Sequence, residues 1–218
     1  MPIQTLAPAE QKFASDRVTR DSYSNLRRQI RTGDLFFAAG NYPVSRMIEH
    51  FSNSMFSHVG FLFRWNDRVL LLESVEDDGV RAVPLSQYVS DYENSGEPYD
   101  GRLFLARYNG DIDAQKVTAM LGEAADLLNR KYNKEEVGMI LARLTIGFGH
   151  PVENNTYICS EFVDECFRKI DIVFPRAESG FIFPEQIAAD PRVQPMYEIA
   201  LSTQDVASTH LGGMNMIG

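Results

Sequence analysis

The residues of this chain best suited to covalent chemistry are its two cysteines, Cys159 and Cys166. Cap-type residues at 154–156 precede Cys159, and apolar residues then recur at helical spacing. The pattern predicts a helix that begins at or just after Cys159. Unpaired N–H groups at a helix start favour an anion, so they favour the thiolate, which is the nucleophilic form of a cysteine.

Cys166 lies two turns further along the same predicted helix, on its apolar side. Seven residues of helix rise about 10 Å, which is too far for the two thiols to form a disulfide. We therefore expect Cys166 to be a small buried hydrophobic residue, and two unpaired cysteines leave the redox compartment undetermined. The apolar stripe consists of Phe162, Val163, Cys166, Phe167 and Ile170.

A base for the thiol could come from a predicted hairpin. Residues 57–64 and 68–75 are rich in β-forming residues, and residues 65–67 join them. A connection of two or four residues places residue i opposite residue j when i + j is odd. His58 and Glu73 then share one face of the hairpin, with about 5 to 8 Å between their Cβ atoms. A connection of three or five residues would place them on opposite faces.

Cysteine, histidine and an acid on these elements are the parts of a cysteine hydrolase. The histidine takes the thiol proton, and the acid fixes the tautomer of the ring. Backbone N–H groups around Cys159 could form an oxyanion hole. Glu73 lies in the apolar run 70–75, where a charge is costly without a partner. Other acids that could take its place are Asp34, Glu76 and Asp77.

The remaining elements alternate between helices and strands. The apolar positions Tyr23, Leu26 and Ile30 predict a helix over 12–31, with its arginines in solvent. Further helices are predicted after Pro43, after Asp111 or Asp113, and at 185–189, and further strands at 35–38, 80–83, 102–108 and 196–201.

Composition limits the classes of function. The chain has 218 residues, 44% of them hydrophobic, which predicts one domain with extensions. A net charge of −9 disfavours nucleic acid or an anionic membrane as the main partner. No pair of His or Cys residues has the spacing of zinc ligands, so we expect no metal and no cofactor.

Membrane insertion and secretion signals are not predicted. The most apolar run, 137–148, is short and contains Arg143, so we expect no transmembrane segment. Residues 1–10 contain no apolar stretch of the kind found in secretory signal peptides. We therefore expect a cytoplasmic protein, or one exported to the periplasm by a dedicated secretion system.

Four motifs occur in this order along the chain: Gly33-Asp34-Leu35, Ser57-His58-Val59-Gly60, Leu72-Glu73-Ser74 and Tyr157-Ile158-Cys159-Ser160-Glu161-Phe162-Val163. Together they resemble the circularly permuted NlpC-type papain-like cysteine hydrolases, the YiiX/YebB-like group. In ordinary papain-like enzymes the cysteine helix comes first, whereas in the permuted group the histidine and acid strands precede it, as here. The similarity covers roughly residues 30–190.

The resemblance implies an α+β fold in which a small antiparallel, partly barrel-like sheet packs against the helix that carries the catalytic cysteine. It implies Cys159 as nucleophile, His58 as base and Glu73 as the residue that orients the ring. Tyr157 matches a position that lines the active site, and Ser57 and Ser160 are further candidates for substrate or oxyanion contacts. The predicted division is an N-terminal helical extension at 1–32, the hydrolase domain at 33–201 and a flexible tail at 202–218.

The activity implied by the resemblance is cleavage of amide bonds in peptidoglycan stem peptides or related small peptides through an acyl-enzyme. A thiol acyltransferase or lipid esterase of the lecithin retinol acyltransferase type is an alternative, and it predicts an apolar channel for which Phe148, Phe181 and Phe183 are candidates. A non-catalytic binding module is another, and it predicts an unreactive Cys159. An exported antibacterial effector, with a secretion-system or immunity-protein partner, is a hypothesis consistent with the predicted localisation.

Overall fold

One mixed sheet organises the part of the protein that the computed structural model describes, which is residues 8–131, 158–177 and 180–201. Its strand order is β1-β7-β6-β2-β3-β4-β5, and every neighbouring pair is antiparallel except β1 and β7. The strands are β1 (Thr19–Ser22), β2 (Leu35–Gly40), β3 (His58–Trp65), β4 (Arg68–Val75), β5 (Gly79–Pro84), β6 (Gly101–Tyr108) and β7 (Val193–Ala200).

Helices flank this sheet, as expected for an α+β fold. They are α1 (Pro8–Lys12), α2 (Tyr23–Leu26), α3 (Pro43–Ser52), α4 (Leu85–Ser90), α5 (Ala114–Leu127), α6 (Cys159–Arg168) and α7 (Pro184–Ala189), with a 3₁₀ turn at Tyr92–Asn94. Within the described ranges, no helix combines the length and the apolar character needed to cross a bilayer.

The hairpin of β3 and β4 has the predicted register. Its connection is the two-residue turn of Asn66 and Asp67, in which Asn66 has a φ of 53°. Asparagine tolerates this left-handed conformation, which suits tight hairpin turns. Phe61 pairs with Leu72, and the same register continued places Gly60 opposite Glu73, with His58 on the diagonal. The odd-sum parity expected from a short connection is confirmed.

The helix predicted over 12–31 is wrong. The segment instead forms the end of α1, the strand β1 and the short helix α2. Thr19 to Ser22 pair in parallel with Tyr197 to Ala200 of β7, so backbone hydrogen bonds to a distant strand override the local helical pattern. The three apolar positions that suggested a helix, Tyr23, Leu26 and Ile30, are nevertheless buried.

Two apolar cores cover the opposite faces of the sheet, because successive side chains of a strand point to opposite sides. Phe37 belongs to the core that includes α5 and α6, whereas Phe36 belongs to the core that includes α2 and α4. The first core holds α6 against β3 through Phe61, Phe162 and Phe167. The second core contains Tyr88, whose side chain becomes part of the site described next.

Candidate active site

Cys159 is the first residue of α6, as the sequence predicts. Ile158 before it is extended, with φ −75° and ψ 163°, and its N–H donates to Glu161 Oε2 at 3.3 Å. Because the first N–H groups of a helix have no intrahelical acceptor, they concentrate partial positive charge around the Cys159 thiol. The residue is 6% exposed, so the sulfur lies at the inner end of an opening rather than on the open surface.

His58 begins β3 and connects the thiol to an acid. Its Nε2 lies 2.7 Å from Glu73 Oε2, and its ring also forms a hydrogen bond with the Cys159 thiol. Because Nε2 is engaged by the carboxylate, the contact with sulfur falls to Nδ1. The ring of Phe36 packs edge-on against the imidazole at 6.4 Å between centroids, and only 15% of the His58 side chain is exposed.

The charges of the site favour the protonated imidazole. Burial lowers the pKa of His58, but the hydrogen bonds to Cys159 and Glu73 outweigh it and raise that pKa from 6.5 to about 10. The carboxylate of Glu73 and the hydrogen bond to Cys159 both stabilise the charged ring, so the imidazole can hold a proton directly beside the thiol.

Glu73 is fully buried, with hydrogen bonds to both carboxylate oxygens. Oε2 accepts from the Tyr88 hydroxyl at 2.7 Å as well as from His58, and Oε1 accepts from Arg81 Nε at 2.9 Å. Burial raises the pKa of Glu73, but the hydrogen bond and charge of His58, followed by the charge of Arg81, lower it below its usual value. Glu73 is therefore an ionised carboxylate that can accept a hydrogen bond from the imidazole ring of His58.

A cavity of about 260 Å³ opens beside the thiol and the imidazole. Its wall is mainly polar and aromatic, which is suited to a polar substrate held by a few directed contacts. Apart from His58 and Cys159, the lining includes Ser57, Tyr42, Tyr99, Glu76, Asp77, Asp78 and Glu93.

The other site residues suggested by the sequence fall in different places. Ser57 lines the cavity, where its hydroxyl donates to the Ala38 carbonyl at 3.3 Å. The Ser160 hydroxyl is buried and donates to the Ile182 carbonyl at 2.7 Å, and its role in substrate or oxyanion contacts stays a prediction. Tyr157 lies outside the described residues.

The alternative acids do not occupy the position of Glu73. Asp34 is buried elsewhere and binds Arg107, with 2.6 Å between Arg107 Nε and Asp34 Oδ1. Glu76 and Asp77 line the cavity. Sequence reasoning missed Arg81 and Tyr88, although the hairpin logic that paired His58 with Glu73 could have been extended to Arg81, an isolated cation in an apolar strand.

The described residues contain no group of side chains suited to metal binding. No group of three or more His, Cys, Asp or Glu residues there could hold a metal ion. Both oxygens of Glu73 are already engaged by His58, Tyr88 and Arg81, so this carboxylate is committed to protein partners.

A histidine–acid hairpin that precedes a cysteine helix, on a mixed sheet, is the arrangement of a papain-like fold with permuted chain order. The profile of the permuted papain-like amidases, described as the YaeF/YiiX or C92 family, matches residues 29–212. The chain belongs to this family.

A solved relative supports the same fold. The crystal structure of the metalloprotein yiiX from Escherichia coli O157:H7 is similar with a TM-score of 0.58 and 17% sequence identity, over 80% of this chain and 98% of that one. No curated protein sequence matches the chain.

Proposed function

We propose that this protein hydrolyses amide bonds in peptidoglycan stem peptides or related small peptides, with Cys159 as nucleophile, His58 as base and Glu73 as the orienting acid. The observation that carries the proposal is the continuous chain of hydrogen bonds from the Cys159 thiol through His58 to Glu73, beside a cavity whose lining includes many polar and aromatic residues. The amidase description of the family supports the reaction type.

The first half-reaction forms an acyl-enzyme. The Cys159 thiolate, whose proton has passed to His58, attacks the substrate carbonyl carbon and forms a C–S bond. Backbone N–H groups at the start of α6 stabilise the oxyanion of the tetrahedral intermediate. His58 then gives its proton to the amide nitrogen, the C–N bond breaks, and the amine departs.

Water completes the cycle. His58, now neutral, accepts a proton from water while the water oxygen attacks the thioester carbonyl. Collapse of this intermediate breaks the C–S bond, releases the carboxylic acid and restores the thiolate–imidazolium pair. Glu73 remains ionised throughout and keeps the Nε2–H of His58 directed away from the sulfur, because an ionised carboxylate only accepts hydrogen bonds.

The lining of the cavity favours a polar peptide over a fatty acyl chain. Hydroxyls, phenols and carboxylates line the cavity together with the Arg81 guanidinium and the apolar Ile48 and Val75, and the carboxylates suit a substrate that carries an ammonium group, such as a diamino acid. Phe181 and Phe183, the described residues suggested for an apolar channel, are buried against Ile158 in a separate cluster. An acyl chain would need apolar contact worth about 0.8 kcal/mol per CH₂ group.

Digestion of purified muropeptides, with the products identified by mass spectrometry, tests this function. We expect a cleaved peptide amide with the wild-type protein and no cleavage with Cys159→Ser. The same reactions are run with phospholipid and acyl thioester substrates. Release of acyl chains without peptide cleavage would assign the acyltransferase or esterase function, and tight binding of wall fragments without turnover would assign a binding module.

We also propose that the protein is an antibacterial effector that is delivered into other bacteria. A wall-peptide amidase would damage a bacterium from the periplasm, where intact wall is exposed. We expect growth arrest when the protein is directed to the periplasm of a test bacterium, and no arrest with Cys159→Ser or with cytoplasmic expression. Equal growth with wild-type and Cys159→Ser protein in the periplasm would contradict an effector role.

A further inference from the structure

Glu73 shares its negative charge among three donors, and two of them lie outside the triad. We propose that Arg81 and Tyr88 are positioning residues, which fix the Glu73 carboxylate and withdraw part of its charge, and so weaken the hold of His58 on its proton. The inference rests on the proposed function only in taking Cys159 and His58 as the reacting pair.

Arg81 is held at Glu73 by the register of the sheet. The two residues are direct partners across β4 and β5, and Arg81 Nε donates to Glu73 Oε1 at 2.9 Å. Another guanidinium nitrogen, Nη1, bonds Asp78 in the turn before β5, which fixes the far end of the side chain. The Arg81 side chain is only 20% exposed, so solvent screens its charge weakly.

Tyr88 approaches the other carboxylate oxygen from α4. Its hydroxyl donates to Glu73 Oε2 at 2.7 Å, the same oxygen that contacts His58 Nε2. The Tyr88 ring is 2% exposed and packs against Phe36 and Tyr99, with centroids 5.1 and 5.5 Å away. A ring so enclosed has one available position, and the hydroxyl therefore sets the orientation of the carboxylate.

The two contacts act on His58 in the same direction. A proton on His58 is stabilised by the negative charge that Glu73 presents to Nε2. Arg81 neutralises part of that charge and also repels the imidazolium, while the Tyr88 hydroxyl competes with Nε2 for the lone pairs of Oε2. Both residues therefore favour release of the proton, which His58 must give to the leaving amine in every turnover.

Other charged and titratable groups face the same pair from neighbouring elements. Cys159 approaches from α6, Asp78 from the β4–β5 turn, and Tyr92 and Glu93 from the 3₁₀ turn after α4, with Glu76 and Asp77 beyond them in the cavity wall. These groups are neutral or negative at neutral pH, or belong to the reacting pair, so none supplies a positive charge that could replace Arg81.

Titration of His58 in the free protein tests the inference without any substrate. Protein with ¹⁵N-labelled histidine contains four such residues, and His58→Gln identifies the His58 signals. We expect Arg81→Gln and Tyr88→Phe each to raise the titration midpoint of His58 by about 0.5 to 1 pH unit, or beyond the upper end of the titration. Arg81→Lys, which keeps the positive charge, should restore most of the wild-type midpoint.

Matched controls separate this effect from general damage. Arg102→Gln removes a guanidinium from another buried carboxylate, Glu198, which lies outside the candidate site. Arg102 Nη2 donates to Glu198 Oε2 at 2.7 Å. Tyr42→Phe removes a hydroxyl from another tyrosine whose ring packs against Tyr99, but that hydroxyl accepts from the Asp100 N–H and does not contact Glu73. Both controls should leave the His58 midpoint unchanged.

The outcomes distinguish residues that alter the proton affinity of His58 from residues that only stabilise the fold. An unchanged or lowered midpoint in Tyr88→Phe, or in folded Arg81→Gln, would overturn the proposal, and so would equal shifts in the controls. If Arg81→Gln fails to fold, Tyr88→Phe and Arg81→Lys still decide it. Because the titration uses no substrate, failure of the proposed amidase activity would leave this result intact.

Discussion

The rings of Phe61 and Phe162 stack with their centroids 5.7 Å apart and their planes inclined by 20°. Phe61 lies three residues after His58 on β3, and Phe162 lies three residues after Cys159 on α6. The stack therefore joins the two elements that carry the proposed base and nucleophile. It fixes the helix on the strand by apolar packing, at a point away from the reacting atoms.

Phe162→Ala should lower both stability and activity. Both rings are fully buried, so truncation leaves a cavity, and we expect a loss of about 3 to 5 kcal/mol in the free energy of unfolding. Urea denaturation measures this loss. Val173→Ala is the control, because Val173 is 56% exposed and its truncation should change stability by less than about 0.5 kcal/mol. A loss under 1 kcal/mol for Phe162→Ala would show that the stack contributes little.

Alkylation should distinguish the two cysteines. Cys159 faces the cavity beside His58, whereas burial, followed by the charges of Glu123 and Glu165, raises the pKa of Cys166 far above its usual value. Iodoacetamide at pH 7 followed by peptide mapping should label Cys159 preferentially, by about tenfold or more. His58→Gln should abolish most of this preference, because the imidazolium partner is lost. Preferential labelling of Cys166 would contradict the assignment of the nucleophile.

Glu73→Gln should reduce kcat by a factor on the order of 10² while leaving the fold intact. A glutamine amide can donate to Nε2, and the ring proton then moves to Nδ1, the nitrogen that must receive the thiol proton. Steady-state kinetics on a cleaved peptide measure the change. Glu76→Gln and Asp77→Asn, which alter acids of the same cavity, are expected to lose much less. If either loses more than Glu73→Gln, the orienting acid has been misassigned.

Stability should depend on pH through His58. Its pKa in the folded protein is raised to about 10, above the value of 6.5 for a free histidine. The stabilisation of the folded protein by protonated His58 is therefore fully present below pH 6.5, and it is lost as the pH rises through about 10. We expect the difference in Tm between the wild type and His58→Gln to shrink steadily across this interval. A difference that is constant from pH 6.5 to 10 would contradict the raised pKa.

Gly60→Ala should damage the site through the backbone. A Cβ atom at this position would lie 2.7 Å from the Leu72 carbonyl oxygen and 3.4 Å from Glu73 Cβ, so β3 and β4 would have to separate beside the His58–Glu73 contact. We expect a stability loss of about 1 to 3 kcal/mol together with reduced kcat. Gly122→Ala in α5, where nothing lies within 4 Å, should instead raise stability by about 0.5 to 1 kcal/mol. Thermal unfolding and steady-state kinetics of both variants check the expectation.

The sequence was most informative where structure is determined locally. The sequence placed His58 and Glu73 on one face only for a connection of two or four residues, and the two-residue turn at Asn66 and Asp67 confirms that condition. The start of α6 followed from apolar spacing. By contrast, β1 is stabilised by pairing with β7, nearly 180 residues away, and the spacing of Tyr23, Leu26 and Ile30 carries no trace of that partner.

The contacts of Glu73 also divide into one that follows from strand pairing and one that depends on tertiary packing. Its contact with Arg81 is a cross-strand pair, accessible in principle from the turn that follows β4. Its contact with Tyr88 depends on how α4 packs over the sheet and on the rings of Phe36 and Tyr99, which pattern analysis does not specify. Contacts made by chain neighbours were therefore predictable, whereas contacts made by tertiary packing were not.

The position of β7 in the sheet determines when the sheet can form during synthesis. β7 is the last strand described, yet it lies between β1, near the beginning of the chain, and β6. During synthesis β1 and the β6 edge must remain unpaired until residues 193–200 leave the ribosome. Because the cysteine helix α6 follows the hairpin of β3 and β4 in the chain, nascent fragments that end before residue 159 carry no assembled site.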